Sequence, residues 1–324
     1  MSRASFDVTS RIATASRERD GEPGSEEAAE PVRRPSEIED VTNLYFVHPI
    51  ASRLVPLLAA MHVHPNAVSV AGMAFGVLAG VAYSRYQDLR WTIAGFVLMV
   101  AWHVMDGADG QLARLTHSQS QSGKVLDGVC DYITFAAVYT GLALTLSRQH
   151  GGWVWGVTAV SGVCHAVQAG AYEMQREEYN FWSWNRRSAG LAALTAAAPQ
   201  APAASGVQRL ADLLYRPYAR VQRLTARVTV EFHRSLVAIL ESQSGQAGFI
   251  RRRYRDAFAP TIRRWSVLSS NYRTLGIFVC ALAERPLYYF LFEIIGFSAI
   301  LVVLLFEQHA RGALFLRSLD TACE

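Results

Sequence analysis

At 324 residues the chain is long enough for one or two soluble domains, yet 51% of it is hydrophobic and that apolarity falls in blocks, which points to a lipid bilayer. The formal charge of +4 comes from arginines gathered outside those blocks, so anionic lipid rather than nucleic acid is the expected partner. Cys130, Cys164, Cys280 and Cys323 are scattered, which excludes a disulfide framework or zinc spacing.

Residues 1–38 are rich in Ser, Glu, Arg, Pro and Ala and nearly free of aromatics, a composition that buries too little apolar area to order itself. A disordered arm is expected there, and residues 1–40 carry no apolar core of the kind a cleavable signal needs. Residues 41–63 mix apolar and polar positions around Pro49 and Pro56, as in a helix lying in the membrane interface. His64-Pro65-Asn66 follows, with Pro65 suited to start a helix and Asn66 placed to cap it. His62 and His64 form an H-x-H pair with no third metal ligand in view. Apolar segments at 67–83, 91–105, 129–146, 153–172, 265–283 and 287–306 predict an all-α polytopic bundle of about six spans.

Between the second and third of these segments the chain reads D-G-A-D-G-Q-L-A-R-L-T-H-S-Q-S-Q-S-G-K-V-L-D-G-V-C-D, from Asp106 to Asp131. A charge at mid-membrane costs roughly 2.5–3.5 kcal/mol, so four carboxylates here need compensation. Asp106, Asp109, Gly110 and Ala113 share one helix face by spacing; Gly123, Asp127 and Asp131 share another. Facing carboxylates repel unless protonated or bridged, and hard divalent ions such as Mg2+ and Mn2+ favour such oxygen ligands. Gly107, Gly110, Ala113 and Gly123 leave room beside the ions for a bulky phosphorylated ligand, and Arg114 adds a bidentate phosphate donor. Cys130 reads as a small packing residue.

Written as D-x2-D-G-x2-A-R-x8-G-x3-D-x3-D, this segment resembles the defining motif of the CDP-alcohol phosphotransferases, also called CDP-alcohol phosphatidyltransferases, at every fixed position. H-P-N-A-V-S-V-A-G is similar to the (T/S)-P-N-x-[hydrophobic]-[TS] lead into their first span, with His64 in place of the usual hydroxyl residue. The resemblance implies that the hydroxyl of an acceptor alcohol displaces CMP from a CDP-alcohol donor, in phospholipid biosynthesis. It implies one or two Mg2+ or Mn2+ ions on Asp106, Asp109, Asp127 and Asp131, with Asp131 also the general base. It implies a nucleotide surface of Gly110, Ala113, Arg114 and Gly123, to which Asn66 is a weaker addition, and a homodimer. Two donors stay open at this point: CDP-diacylglycerol, which is favoured, or a CDP-choline or CDP-ethanolamine type that charges a lipid hydroxyl. A transporter with an aspartate relay is the alternative from another class, although a relay does not call for G-x2-A-R.

Beyond the fourth segment about ninety residues intervene, so the expected units are 1–38, 39–172, 173–264 and 265–324. The insertion opens with an aromatic, charged exit holding Glu173 and Arg176, then an Ala/Pro linker at 188–206. An amphipathic stretch at 207–240 carries a stripe of Arg216, Arg220, Arg223, Arg227 and Arg234, and R-R-R-Y-R continues it at 251–255. A membrane-surface helix and a self-packed helical hairpin both suit this pattern. Arg273, and more weakly Arg176, are candidates to hold an acceptor or lipid phosphate, while Glu293 within the last segment is expected to hydrogen-bond a neighbouring helix. Arginines in the arm, the insertion and the tail place both termini and the motif on the cytoplasmic side, in a bacterial inner membrane.

Overall fold

The computed structural model describes residues 37–184, 227–242 and 246–320. The amino-terminal arm to residue 36, the Ala/Pro linker and the stripe arginines Arg216, Arg220 and Arg223 lie outside these residues. The regular structure described is entirely helical. A π-helical turn at Asn43–Val47 leads into α1 (His48–Ala60), followed by α2 (Pro65–Tyr83), α3 (Leu89–Leu115), α4 (Gln121–His150) and α5 (Val154–Trp184). The insertion contributes α6 (Arg227–Ser242) and α7 (Ala247–Trp265). Next come α8 (Ser270–Leu282), α9 (Pro286–Leu291), a π-helical turn at Phe292–Phe297 and α10 (Ser298–Asp320).

Among the described residues four helical stretches are long and apolar enough to cross a membrane: Pro65–Tyr83, Leu89–Leu115, Ser122–His150 and Pro286–Leu319. Six were expected, and the difference has physical causes. The stretch at 265–283 is not one helix, since α7 ends at Trp265, a short 3-10 turn occupies Ser266–Leu268, and α8 has only 13 residues. At 1.5 Å per residue that is about 20 Å against a hydrocarbon core of about 30 Å. Helix α5 falls short on apolarity alone, because His165 and Gln168, both buried against the bundle, interrupt its apolar stretch; its 31 residues still run back along α4, with His165 against Phe135 and Tyr139.

Small residues let the spans approach closely. Gly72, Gly76 and Gly80 stand four apart on α2, and a Cβ at Gly76 or Gly80 would run into Thr134 or the Ala137 carbonyl of α4. A Cβ at Gly141 would in turn run into the Gly80 carbonyl, so backbone meets backbone along this seam. Across the four stretches and α8, Tyr83, Met99, Trp102, Phe135, Val138, Leu142, Ile277, Tyr289 and Phe290 form one apolar cluster. A second cluster joins the later turns of α5 to α6, α7 and α10 through Tyr179, Trp182, Leu236, Ile250, Tyr254, Phe258 and Trp265. The apolar side of the described insertion is thus spent on protein, as in the hairpin reading, rather than on lipid. Ile38 belongs to the same cluster.

The π-helical turn, α1 and its C-cap together show the two faces the sequence suggested. Ala51 and Val55 pack with Val68, Ala108 and Leu112, whereas Tyr45, Phe46, Leu57 and Met61 are exposed apolar residues suited to an interface.

Candidate active site

Helices α3 and α4 run antiparallel through the short connection at 116–120, where His117 takes a positive φ of 52°. Ser120 Oγ accepts from the Gly123 amide at 3.0 Å, and this cap fixes where α4 begins and hence which way its aspartates face. Asp106 and Asp109 on α3 meet Asp127 on α4, with one carboxylate oxygen of each within 4.8 Å of the others. Asp109 is buried and its two partners half-buried. Asp131 lies one turn further along α4, outside that trio, and its Oδ1 is buried without a hydrogen-bond partner among the described residues. Three convergent carboxylates and an orphaned fourth oxygen are the donor chemistry a hard divalent cation takes, so the residues fit such an ion.

The chain holds Asp109 from a neighbouring helix. Ser69 Oγ on α2 donates to Asp109 Oδ2 at 2.5 Å, and both side chains are buried. Sequence reasoning missed this role, although Ser69 stands in the quoted H-P-N-A-V-S lead. The signals were a hydroxyl within an otherwise apolar stripe and its place at the closing [TS] of that pattern.

The small residues divide in purpose. A Cβ at Gly110 would approach the Arg114 guanidinium at 3.5 Å, so Arg114 folds back over that glycine one turn below it. At Gly123 a Cβ would meet Ser120 Oγ and, at 3.4 Å, Asn66 Oδ1, so Asn66 and Gly123 are brought together at the start of α4. Ala113 lies on α3, half-buried. Gly107 does not face the site: its open side receives Val47, Ala51 and His48, because the interfacial helix packs there.

Two expectations, those for Asn66 and Arg273, need correction. Asn66 does not cap α2; it sits inside the helix behind Pro65, and the His64 ring accepts its amide hydrogen at 3.2 Å instead. His62 and His64 take no part in the acidic cluster. Arg273 is fully buried, with Nε donating to Glu293 at 3.2 Å, Nη2 to Gln168 at 2.7 Å and Nη1 to the carbonyls of Leu268 and Ser269. A guanidinium committed in this way inside the bundle is not presented to a substrate phosphate. Glu293 bonds neighbouring helices as expected, accepting also from Tyr139 on α4.

Arg176 stands on α5. Its guanidinium pairs with Glu173 at 3.1 Å and lies over the Tyr172 ring, and Glu173 is close enough to Asp131 for its charge to act there. Burial works against the Arg176 charge, but Glu173 and nearby acids more than offset it, holding its pKa above the usual arginine value.

Residues 62–207 match the CDP-alcohol phosphatidyltransferase family. Over 111 residues, 33% of this chain and 52% of the other, the sequence is 30% identical to "Inner membrane protein YnjF" of Escherichia coli (strain K12). Over 121 residues, 36% of this chain and 40% of the other, it is 26% identical to proteins named CDP-diacylglycerol--serine O-phosphatidyltransferase in Mycobacterium bovis and Mycobacterium tuberculosis. The chain spans about half the length of the first of these relatives and less of the others.

Proposed function

We propose that this chain, whose residues 62–207 match the CDP-alcohol phosphatidyltransferase family, transfers a phosphatidyl group from CDP-diacylglycerol to a polar alcohol, releasing CMP. The observation that carries this reading is the meeting of Asp106, Asp109 and Asp127 on two antiparallel helices of the family motif. CDP-diacylglycerol is favoured as donor by the names of the mycobacterial relatives.

A divalent cation, Mg2+ or Mn2+, held by Asp106, Asp109 and Asp127 with Asp131 adjacent supplies charge neutralisation on the pyrophosphate when bound. The chain's own residues do the rest. Asn66, Gly110, Ala113 and Gly123 bound the space for the cytidine diphosphate, with Arg114 over Gly110 as a guanidinium donor to phosphate. Asp131 accepts the proton of the acceptor hydroxyl as that oxygen attacks the phosphatidyl phosphorus in line. The bond from this phosphorus to the CMP oxygen breaks, and CMP leaves with the electron pair. Arg176, paired with Glu173 beside Asp131, is the residue we assign to the acceptor side. The arginine distribution supports a cytoplasmic motif and cytoplasmic termini.

The test is CMP release by purified protein given CDP-diacylglycerol, CDP-choline or CDP-ethanolamine over a panel of acceptors, with and without Mn2+. Turnover with CDP-diacylglycerol alone supports the reading. Turnover only with the CDP-linked head groups and diacylglycerol reverses donor and acceptor, and ion movement in sealed vesicles without any nucleotide replaces the enzyme by a transporter.

A further inference from the structure

The metal-binding face of α3 is anchored from behind as well as from the front. Gln111 stands about 140° and 160° around the helix from Asp106 and Asp109, so it points away from the cluster. It is buried, and its Nε2 donates to His48 Nδ1 at 3.1 Å. An amide NH2 only donates, so Nδ1 is the unprotonated nitrogen and Nε2 carries the hydrogen that goes to Glu39 Oε2 at 2.9 Å. The same His48 lies against the open side of Gly107, one turn before Gln111.

Behind His48 the chain is itself held. Glu37 is gripped by Arg255 of α7 and accepts from Tyr179 of α5 at 2.6 Å. Asp40 accepts from Asn271 of α8 at 2.8 Å. Residues 37–48 thus form a strap fastened to the insertion at one end and to the motif helix at the other.

We infer that His48 is a positioning residue: through Gln111 it sets the rotation of α3 about its own axis, and so the separation of Asp106 and Asp109 from Asp127. Ser69 holds Asp109 from the front and His48 holds the back of the same helix, leaving little freedom to turn. The inference rests on the reading of these aspartates as cation ligands. It also gives the insertion a part in the reaction, because α7 secures the strap that carries His48.

The experiment uses the full chain in detergent and Mn2+ alone as probe, read as the Mn2+-dependent rise in thermal unfolding midpoint. In His48→Asn the amide reaches the Nδ1 position and still accepts from Gln111 but loses Glu39. In His48→Gln the amide reaches the Nε2 position, keeping Glu39 and losing Gln111. His48→Asn is expected within about threefold of the parent in half-saturating Mn2+, and His48→Gln and His48→Ala to need about tenfold more, the usual loss when the support of a ligand is removed. Turnover of His48→Gln is expected to recover at saturating Mn2+, which a merely misfolded variant would not show. Retention of parental Mn2+ dependence by all three variants, or retention by Gln with loss in Asn, overturns the positioning role alone. Absence of any Mn2+ stabilisation in the parent protein defeats the cation reading and this inference with it.

Discussion

Replacing Arg273 by Met tests the buried ion pair that ties α8 to the last membrane-length stretch. Arg273 and Glu293 are both fully buried at 3.2 Å, and Tyr289 donates to the same carboxylate at 2.6 Å. Met keeps the volume and removes the cation, leaving the Glu293 charge with tyrosine hydroxyls alone. Breaking a buried pair from one side costs about 3–5 kcal/mol, whereas exchanging both partners for apolar residues is often neutral or stabilising. Arg273→Met and Glu293→Leu are therefore each expected to lose about 3–5 kcal/mol, and the double variant much less than their sum. Equilibrium unfolding of detergent-solubilised protein in a double-mutant cycle reads this directly. A loss in the double variant equal to the sum of the singles refutes the argument, because it means the two groups do not interact. The folded double variant is also expected to release CMP at near-parental rates; loss of turnover without loss of stability would return Arg273 to the substrate.

Other consequences are as direct. Asp127→Asn is expected to insert in membranes at parental levels yet lose CMP release, since it removes one of the three convergent carboxylates, and near-normal turnover would defeat the site. Ser69→Ala removes the Ser69 bond to Asp109 and is expected to raise half-saturating Mn2+ by about 10–100-fold, while Ser69→Thr, which keeps the hydroxyl, recovers most of it. Gly141→Val forces a side chain into the Gly80 carbonyl, so a loss of at least about 3 kcal/mol is expected, seen as failure to recover monodisperse protein. Gly162→Ala, with nothing within 4 Å of the added carbon, is the control and gains up to about 1 kcal/mol of helix propensity. Burial pushes the Glu37 carboxyl upward, but bonds from Arg255 and Tyr179 outweigh it and hold the group below its ordinary 4.5. The contribution of that group is present above pH 4.5 and lost as pH falls through the lowered value. Protease sensitivity around residues 37–40 is expected to rise on acidification through that window, and Glu37→Gln should flatten the dependence.

Composition and motif spacing alone determined that this is a helical membrane protein, and they singled out the stretch from Asp106 to Asp131, where four carboxylates beside apolar segments need a counter-charge. These are properties of single helices: the period of 3.6 residues says which side chains share a face, and burying charge beside lipid says that they need a partner. The same period says nothing of which neighbour a face meets. Ser69 and Asp109 are 40 residues apart, His48 and Gln111 63, and Arg273 and Gln168 105, so each of these contacts was set only when the helices packed. That packing spent Gly107 on the interfacial helix rather than on the ligand and locked Arg273 into an ion pair. It also turned the apolar side of the insertion toward protein. Local spacing set which aspartates share a face, and burial between distant helices decided how they are held, because a buried polar group takes the partner that removes its desolvation cost wherever in the chain that partner lies.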